Sequence, residues 1–235
     1  MTTRRRTQPT QPSQPTQPGP IDTSEMPTVH TFFRREFRLA GGVVRGVAAG
    51  DSARAAEVSE HLEYVARCLH HHHTGEDELV WPLLLERVPE ELAPIVHLME
   101  SQHERLDALL GEVERLRTQW QSTADVEARG RLADTLDLVH AHLTEHLDAE
   151  EERLLPIAAR TLTYDEWHAV GERARRENPR KEMFLTFGMI QHDGDPQVVQ
   201  RMLSTAPPPV RVIVPRLARR AFRKHAQRIH GTPTP

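Results

Sequence analysis

Cysteine is nearly absent from this chain. Cys68 stands alone among 235 residues, so no intrachain disulfide can form and packing must hold the fold. Aromatic residues amount to 5%, too few for a nucleic-acid platform built on base stacking. No apolar run approaches the roughly 20 residues that a membrane span requires. Three arginines near the N-terminus have no apolar segment behind them, which argues against a secretory signal. These absences together predict a cytoplasmic protein. In other respects the composition is ordinary, with 37% apolar and 27% charged residues. The length suits one sizeable domain with appendages.

Histidine, by contrast, is abundant. There are 15, most of them between positions 61 and 146, and neutral imidazole is the commonest metal ligand in proteins. Charge is also unevenly spread. Residues 1–20 and 201–235 together carry 11 Lys/Arg and no Asp/Glu, whereas residues 21–200 carry 19 Lys/Arg against 34 Asp/Glu. An acidic body with basic ends follows. Either the ends pack against the body or they meet an anionic surface, nucleic acid or membrane.

Residues 1–27 form a Gln/Pro/Thr-rich tail (QPTQPSQPTQPGP) with little to bury, and disorder is expected there. From Thr28 onward the apolar residues recur at helical spacing, with no strand-like alternation. Four helices are predicted, at about 28–49 (ended by Gly50), from an Asp51 or Ser52 cap to about Arg87, from Pro89 to Gln121, and from Asp125 to Thr161. Pro82 and Pro156 fall late in the second and fourth, where a kink or a tightened last turn is expected. Long helices with short connections predict an all-α, up-down-up-down four-helix bundle over 28–161. A C-terminal helical extension over 162–235 follows. It comprises a short helix at 164–178, an irregular segment at 179–196, and a basic amphipathic helix within 209–230.

A faint internal echo carries the chemistry. The second helix contains HHTGEDELVWP and the fourth HLDAEEERLLP, so His72 and Glu76 are matched by His146 and Glu150. Four residues apart on a helix, each pair shares a face. That face is the apolar one: Glu76 lies among Leu62, Val65 and Leu69, and Glu150 among Leu143, Leu147 and Leu154. Asp77 and Glu78 point the other way on the same helical projection. Buried carboxylates are rare unless paired or bound to metal. His30 lies on the side of Phe33 and Phe37 in the first helix, and His103 on the side of Met99 and Leu106 in the third. One such histidine alone would read as a hydrogen-bonded core residue, and one His/Glu pair as a surface pair. Two matching pairs with two aligned histidines point instead to metal: carboxylates bridging two cations, with nitrogen ligands capping each. A mononuclear zinc site using part of the set is the alternative.

These residues resemble the hemerythrin-like (HHE cation-binding) family over about 28–161. The likeness rests on the lone histidine of the first helix, HHTGEDELVWP, QHERLDALL and HLDAEEERLLP. It implies an oxo- or hydroxo-bridged di-iron centre held by His30, His72, Glu76, His103, His146 and Glu150, and a small oxidant (O₂, H₂O₂ or NO) as its partner. Oxygen-carrying members have two histidines spaced by four in the third helix. Met99 occupies the earlier position here, leaving one metal a nitrogen short unless His142, Asp107, Tyr64 or water supplies a ligand. The resemblance then favours an open site, with catalase-like peroxide decomposition, nitric oxide response or iron sensing as the implied range. A regulatory or storage module without turnover is the reading from a different class. Cys68 shares the His72 stripe and reads as a small core residue. The basic helix, with Leu217, Phe222 and Ile229 between its arginines, is expected to dock on the bundle or to touch a membrane peripherally.

Overall fold

A computed structural model describes residues 19–179 and 181–235, and the chain is all-helical over them. The bundle comprises α1 (Glu25–Arg45), α2 (Ser52–Leu79) with its continuation α3 (Trp81–Arg87), α4 (Ala93–Trp120), and α5 (Val126–Ala149) with its continuation α6 (Leu155–Thr161). Then come α7 (Tyr164–Glu177), α8 (Met183–Asp193), α9 (Pro196–Met202) and α10 (Pro208–His230). Helix α1 packs on α2 and α5, and α4 also packs on α2 and α5, which closes the expected up-down-up-down square. Asp51 caps α2 by accepting from the Arg54 N–H, and Asp125 caps α5 by accepting from Ala128. Both turns lie at one end of the bundle and are tied together. Gly50, in the left-handed region at φ 77°, donates its N–H to the Ala124 carbonyl at 3.2 Å.

The expected disordered tail lies outside the described residues over 1–18. Residues 19–27 are ordered: the Ile21 N–H donates to the Ala159 carbonyl at 2.8 Å and Met26 is buried. Helix α1 ends at Gly46 rather than Gly50. The two prolines do break their helices, but not by tightening. Val80 separates α2 from α3, with Pro82 in the first turn of α3. Ahead of Pro156 the chain widens into a π-helical turn, Glu150–Leu154. The segment expected to be irregular at 179–196 contains α8.

The interior is two apolar clusters with a polar belt between them. Phe32, Phe33, Leu69, Leu106 and Leu147 belong to the larger cluster. Met26, Val80, Trp81, Met99 and Leu154 belong to the smaller. On each bundle helix the junction falls at a polar residue: His30 on α1, His72 to Glu76 on α2, His103 on α4, His146 to Glu150 on α5.

Outside the bundle, α8 packs on α1, and α10 packs on α8 and touches α2. Ala218, Phe222, Ala226 and Ile229 form the buried stripe of α10. Its arginines face outward, as does Leu217, which the sequence had suggested as part of the docking face. No helix among the described residues is long and apolar enough to cross a membrane.

Helix α8 approaches α10 through Gly188. A Cβ there would overlap the Ala218 carbonyl oxygen and lie 2.9 Å from the Phe222 Cβ. Backbone cannot yield as a flexible side-chain tip can, so Gly188→Ala should cost about 1–3 kcal/mol. Urea denaturation should show that loss, accompanied by faster proteolysis within α10.

Candidate metal centre

Two groups of potential ligands sit in the belt. Their donor atoms lie within 4.8 Å of one another inside each group: His30, His72, Glu76 and Glu150 in one, His73, His103 and His146 in the other. All six residues expected from the sequence are thus buried together. His72, at 8% exposure, is the most accessible, and Glu76, His30 and His146 are fully enclosed. Carboxylates link the two groups. Glu150 Oε2 lies 3.3 Å from His30 Nε2 and 3.8 Å from His146 Nε2, while Glu76 lies 3.5 Å from His72 Nε2 and 3.6 Å from His103 Nε2.

The far nitrogens of the rings fix what faces inward. His30 Nδ1–H donates to Glu151 at 2.8 Å, His103 Nδ1–H donates to Asp77 at 2.7 Å, and His146 Nδ1–H donates to the Gln102 amide oxygen at 3.2 Å. A neutral imidazole that donates at Nδ1 has a bare lone pair at Nε2. Those lone pairs point at each other and at carboxylates: His103 Nε2 and His146 Nε2 are 3.1 Å apart, and His30 Nε2 and His72 Nε2 are 3.3 Å apart. Neither oxygen of Glu76 or of Glu150 has a hydrogen-bond partner, nor has either nitrogen of His73. Each buried polar group left in this way costs about 1–3 kcal/mol. Converging imidazole and carboxyl groups of this kind are what a cation relieves. Nitrogens about 3.1–3.3 Å apart also suit neighbouring ligands on an ion with bonds of about 2.1 Å. The donor set fits a metal.

Burial sets the protonation states in the same direction. It holds the His72, His73 and His146 imidazoles well below their usual pKa, assisted by neighbouring rings. Burial pushes Glu76 well above the ordinary carboxylate range, and the nearby Glu150 carboxylate adds to that. Glu150 is raised by burial too, less so because His30 and His103 face it.

The Hemerythrin HHE cation binding domain family matches residues 22–158. This chain belongs to that family. Comparison with curated proteins and with solved structures gives no match.

Within this HHE bundle a further buried imidazole stands beside His103 and His146, and it comes from α2, not from α4. Met99 is buried in the smaller apolar cluster. The His73 ring stacks on His103 at 4.0 Å and lies 5.1 Å from His146. Of the side chains considered from the sequence, none takes this place: His142 faces Glu145 at the surface, Asp107 pairs with exposed His70, and the Tyr64 hydroxyl bonds to Thr186 at 2.7 Å. The signal for His73 was present in the run His70–His73. At about 100° per residue, Glu76 projects about 40° from His72 and about 60° from His73, so the two rings flank one carboxylate. His72 turns toward α1 and His73 toward α4 and α5.

The second acids of the echo also have a place. Asp77 follows Glu76 and holds His103 across the bundle, and it accepts from Trp81 Nε1 at 2.7 Å as well. Glu151 follows Glu150, holds His30, and is tied to Arg34 at 3.0 Å. The π-helical turn begins at Glu150, where the Leu155 N–H reaches back five residues to the Glu150 carbonyl. Helical projection had sent Asp77 outward, and it is half-exposed. Its carboxyl still reaches an imidazole of the neighbouring helix. Such outer carboxylates orient ligating rings and raise their basicity.

Cys68 lies one turn before His72 and does not join either group. Burial pushes its thiol up to about 12, against about 8.5 for a free cysteine. Alkylation by iodoacetamide at pH 8 should therefore be slower in the native protein by on the order of 1000-fold than in urea. Rapid native labelling would show the stripe to be open at that point.

Proposed function

We propose that this HHE bundle holds two iron ions and that they bind or reduce a small oxidant, O₂, peroxide or NO. One ion would be held by His30 and His72, the other by His73, His103 and His146, with Glu76 and Glu150 shared between them. The observation that carries this reading is the set of inward Nε2 atoms and carboxyl groups gathered in the buried belt, the carboxyls with no hydrogen-bond partner. When bound, iron supplies the electrons and the attachment point for the oxidant. The protein residues hold and orient. Asp77, Glu151 and Gln102 keep three rings in the tautomer that aims Nε2 inward. The apolar clusters on either side exclude water, and the slight opening at His72 suits only a small molecule.

His73 changes the functional emphasis drawn from the sequence. With a third nitrogen beside His103 and His146, the absence of a histidine at Met99 no longer argues for an open site. Reversible O₂ binding therefore stands beside peroxide and NO chemistry. A zinc-filled bundle is the competing reading, because imidazole and carboxylate suit that ion as well.

Metal analysis with an absorption spectrum separates the two. Protein from iron-replete cells should be coloured and carry two irons per chain. A colourless protein holding zinc alone would overturn the iron reading. His73→Gln should leave the His30/His72 ion in place and weaken the other. Asp77→Asn should weaken metal binding about 10–100-fold, which a chelator competition measures.

Proton release provides an independent check. Glu76 and Glu150 hold protons more tightly than ordinary carboxylic acids, and a cation must displace them. Metal uptake in weak buffer should acidify the solution, and affinity should fall as pH is lowered. A pH-independent affinity would mean that neither carboxylate is a ligand.

A further inference from the structure

A separate cluster of ligating side chains lies where α10 meets the bundle. Glu36 on α1, His61 on α2 and His230 at the end of α10 bring donor atoms within 4.8 Å of one another. Along the helices this is about 9 Å from His30 and about 16 Å from His72, at 1.5 Å per residue. His61 Nε2 and His230 Nε2 converge on the same carboxylate oxygen, Glu36 Oε2, at 3.2 and 3.1 Å. The side chains are at most 4% exposed. We propose that Glu36, His61 and His230 form an additional mononuclear site for a divalent transition cation, zinc as the type, which clips the C-terminal helix to the bundle.

The surroundings favour a cation over a simple ion-pair latch. Arg35 pairs with Glu36 through Oε1 at 2.7 Å. It is itself fixed by Asp193 and the Met189 carbonyl of α8. One guanidinium shared by two carboxylates leaves a negative charge for a cation to offset, and both rings converge on Glu36 Oε2, to which His230 Nε2–H donates at 3.1 Å when no ion is bound. His61 shares a hydrogen bond between its Nδ1 and His225 Nε2 at 3.0 Å. This is the outer support that orients a ligating ring, here supplied by the same helix that brings His230. His230 Nδ1 is buried without a partner. Two imidazole nitrogens and one carboxylate oxygen with a fourth position left over is a zinc donor set.

The first two helices and the last would meet at one ion. Without it, α10 is held by the Ala218/Phe222/Ala226/Ile229 stripe and by Arg54, whose guanidinium donates to the Arg228 and Ile229 carbonyls at 2.7 and 2.6 Å. Occupancy would stabilise the docked helix by mass action. The exposed arginines of α10 offer many trypsin sites, so docking is directly readable.

The test uses the full chain, stripped with chelator and then titrated with zinc against a chromophoric competitor. Wild type should bind one zinc per chain more than His230→Gln or His61→Gln. Trypsin cleavage within α10 should slow with zinc in wild type alone, by about 100-fold when free zinc is 100 times its Kd. Matching melts of the metal-free proteins establish that both variants fold; should one not, the other decides. Glu76→Gln, which disables the bundle interior, should retain the extra zinc. Equal zinc counts in wild type and both variants, or protection indifferent to zinc, would overturn the clip and leave the bundle centre untouched.

Discussion

Burying two carboxylates beside five imidazoles is the constraint around which this bundle is organised. Without a cation it is a costly arrangement. Neither glutamate finds a hydrogen bond, and rings whose Nδ1 protons are committed outward turn their lone pairs toward one another. The two apolar clusters above and below compensate structurally. They clamp each helix one turn before and one turn after its polar residue, which leaves the belt no freedom to rotate out to water. A rigid cage of unsatisfied ligand atoms is poor for stability and good for binding a cation, because little reorganisation remains to be done when the ion arrives.

Outer carboxylates finish that cage, and they do so by crossing between helices. Asp77 of α2 orients a ring of α4, and Glu151 of the π-helical turn orients a ring of α1. Each acid directly follows an inward glutamate, so a single Glu-Asp or Glu-Glu step supplies one group for the cage and one to steer a neighbour. The extra residue of the π-helical turn is placed where that second duty begins. Such turns recur at functional sites because they rephase side chains without ending the helix.

The C-terminal extension is more than a passive cover. Its last helix buries an apolar stripe while presenting arginines to solvent. The basic C-terminal segment and the acidic body therefore meet at defined points: Arg201 with Asp22, and Arg228 with Glu57. Exposed pairs of this kind add little to stability individually. Close helix approach at Gly188 and the enclosed Glu36–His61–His230 cluster hold the extension more specifically.

Local pattern alone determined the four bundle helices and put His30, His72, Glu76, His103 and Glu150 on their apolar faces with His146 at the edge, because a 3.6-residue period fixes which side chains share a face. It also exposed the repeat between HHTGEDELVWP and HLDAEEERLLP. Periodicity could not decide matters that depend on which helix stands opposite. His73 projects about 100° from His72 on α2, and is enclosed because α4 and α5 close over its side of the stripe. Asp77 looked solvated, and became a partner of His103 for the same reason. The ordering of 19–27, the helix at Met183–Asp193 and the meeting of Glu36 with His230 likewise come from contacts between segments far apart in sequence. A single helix's period contains no information about those contacts; only the packed chain supplies it.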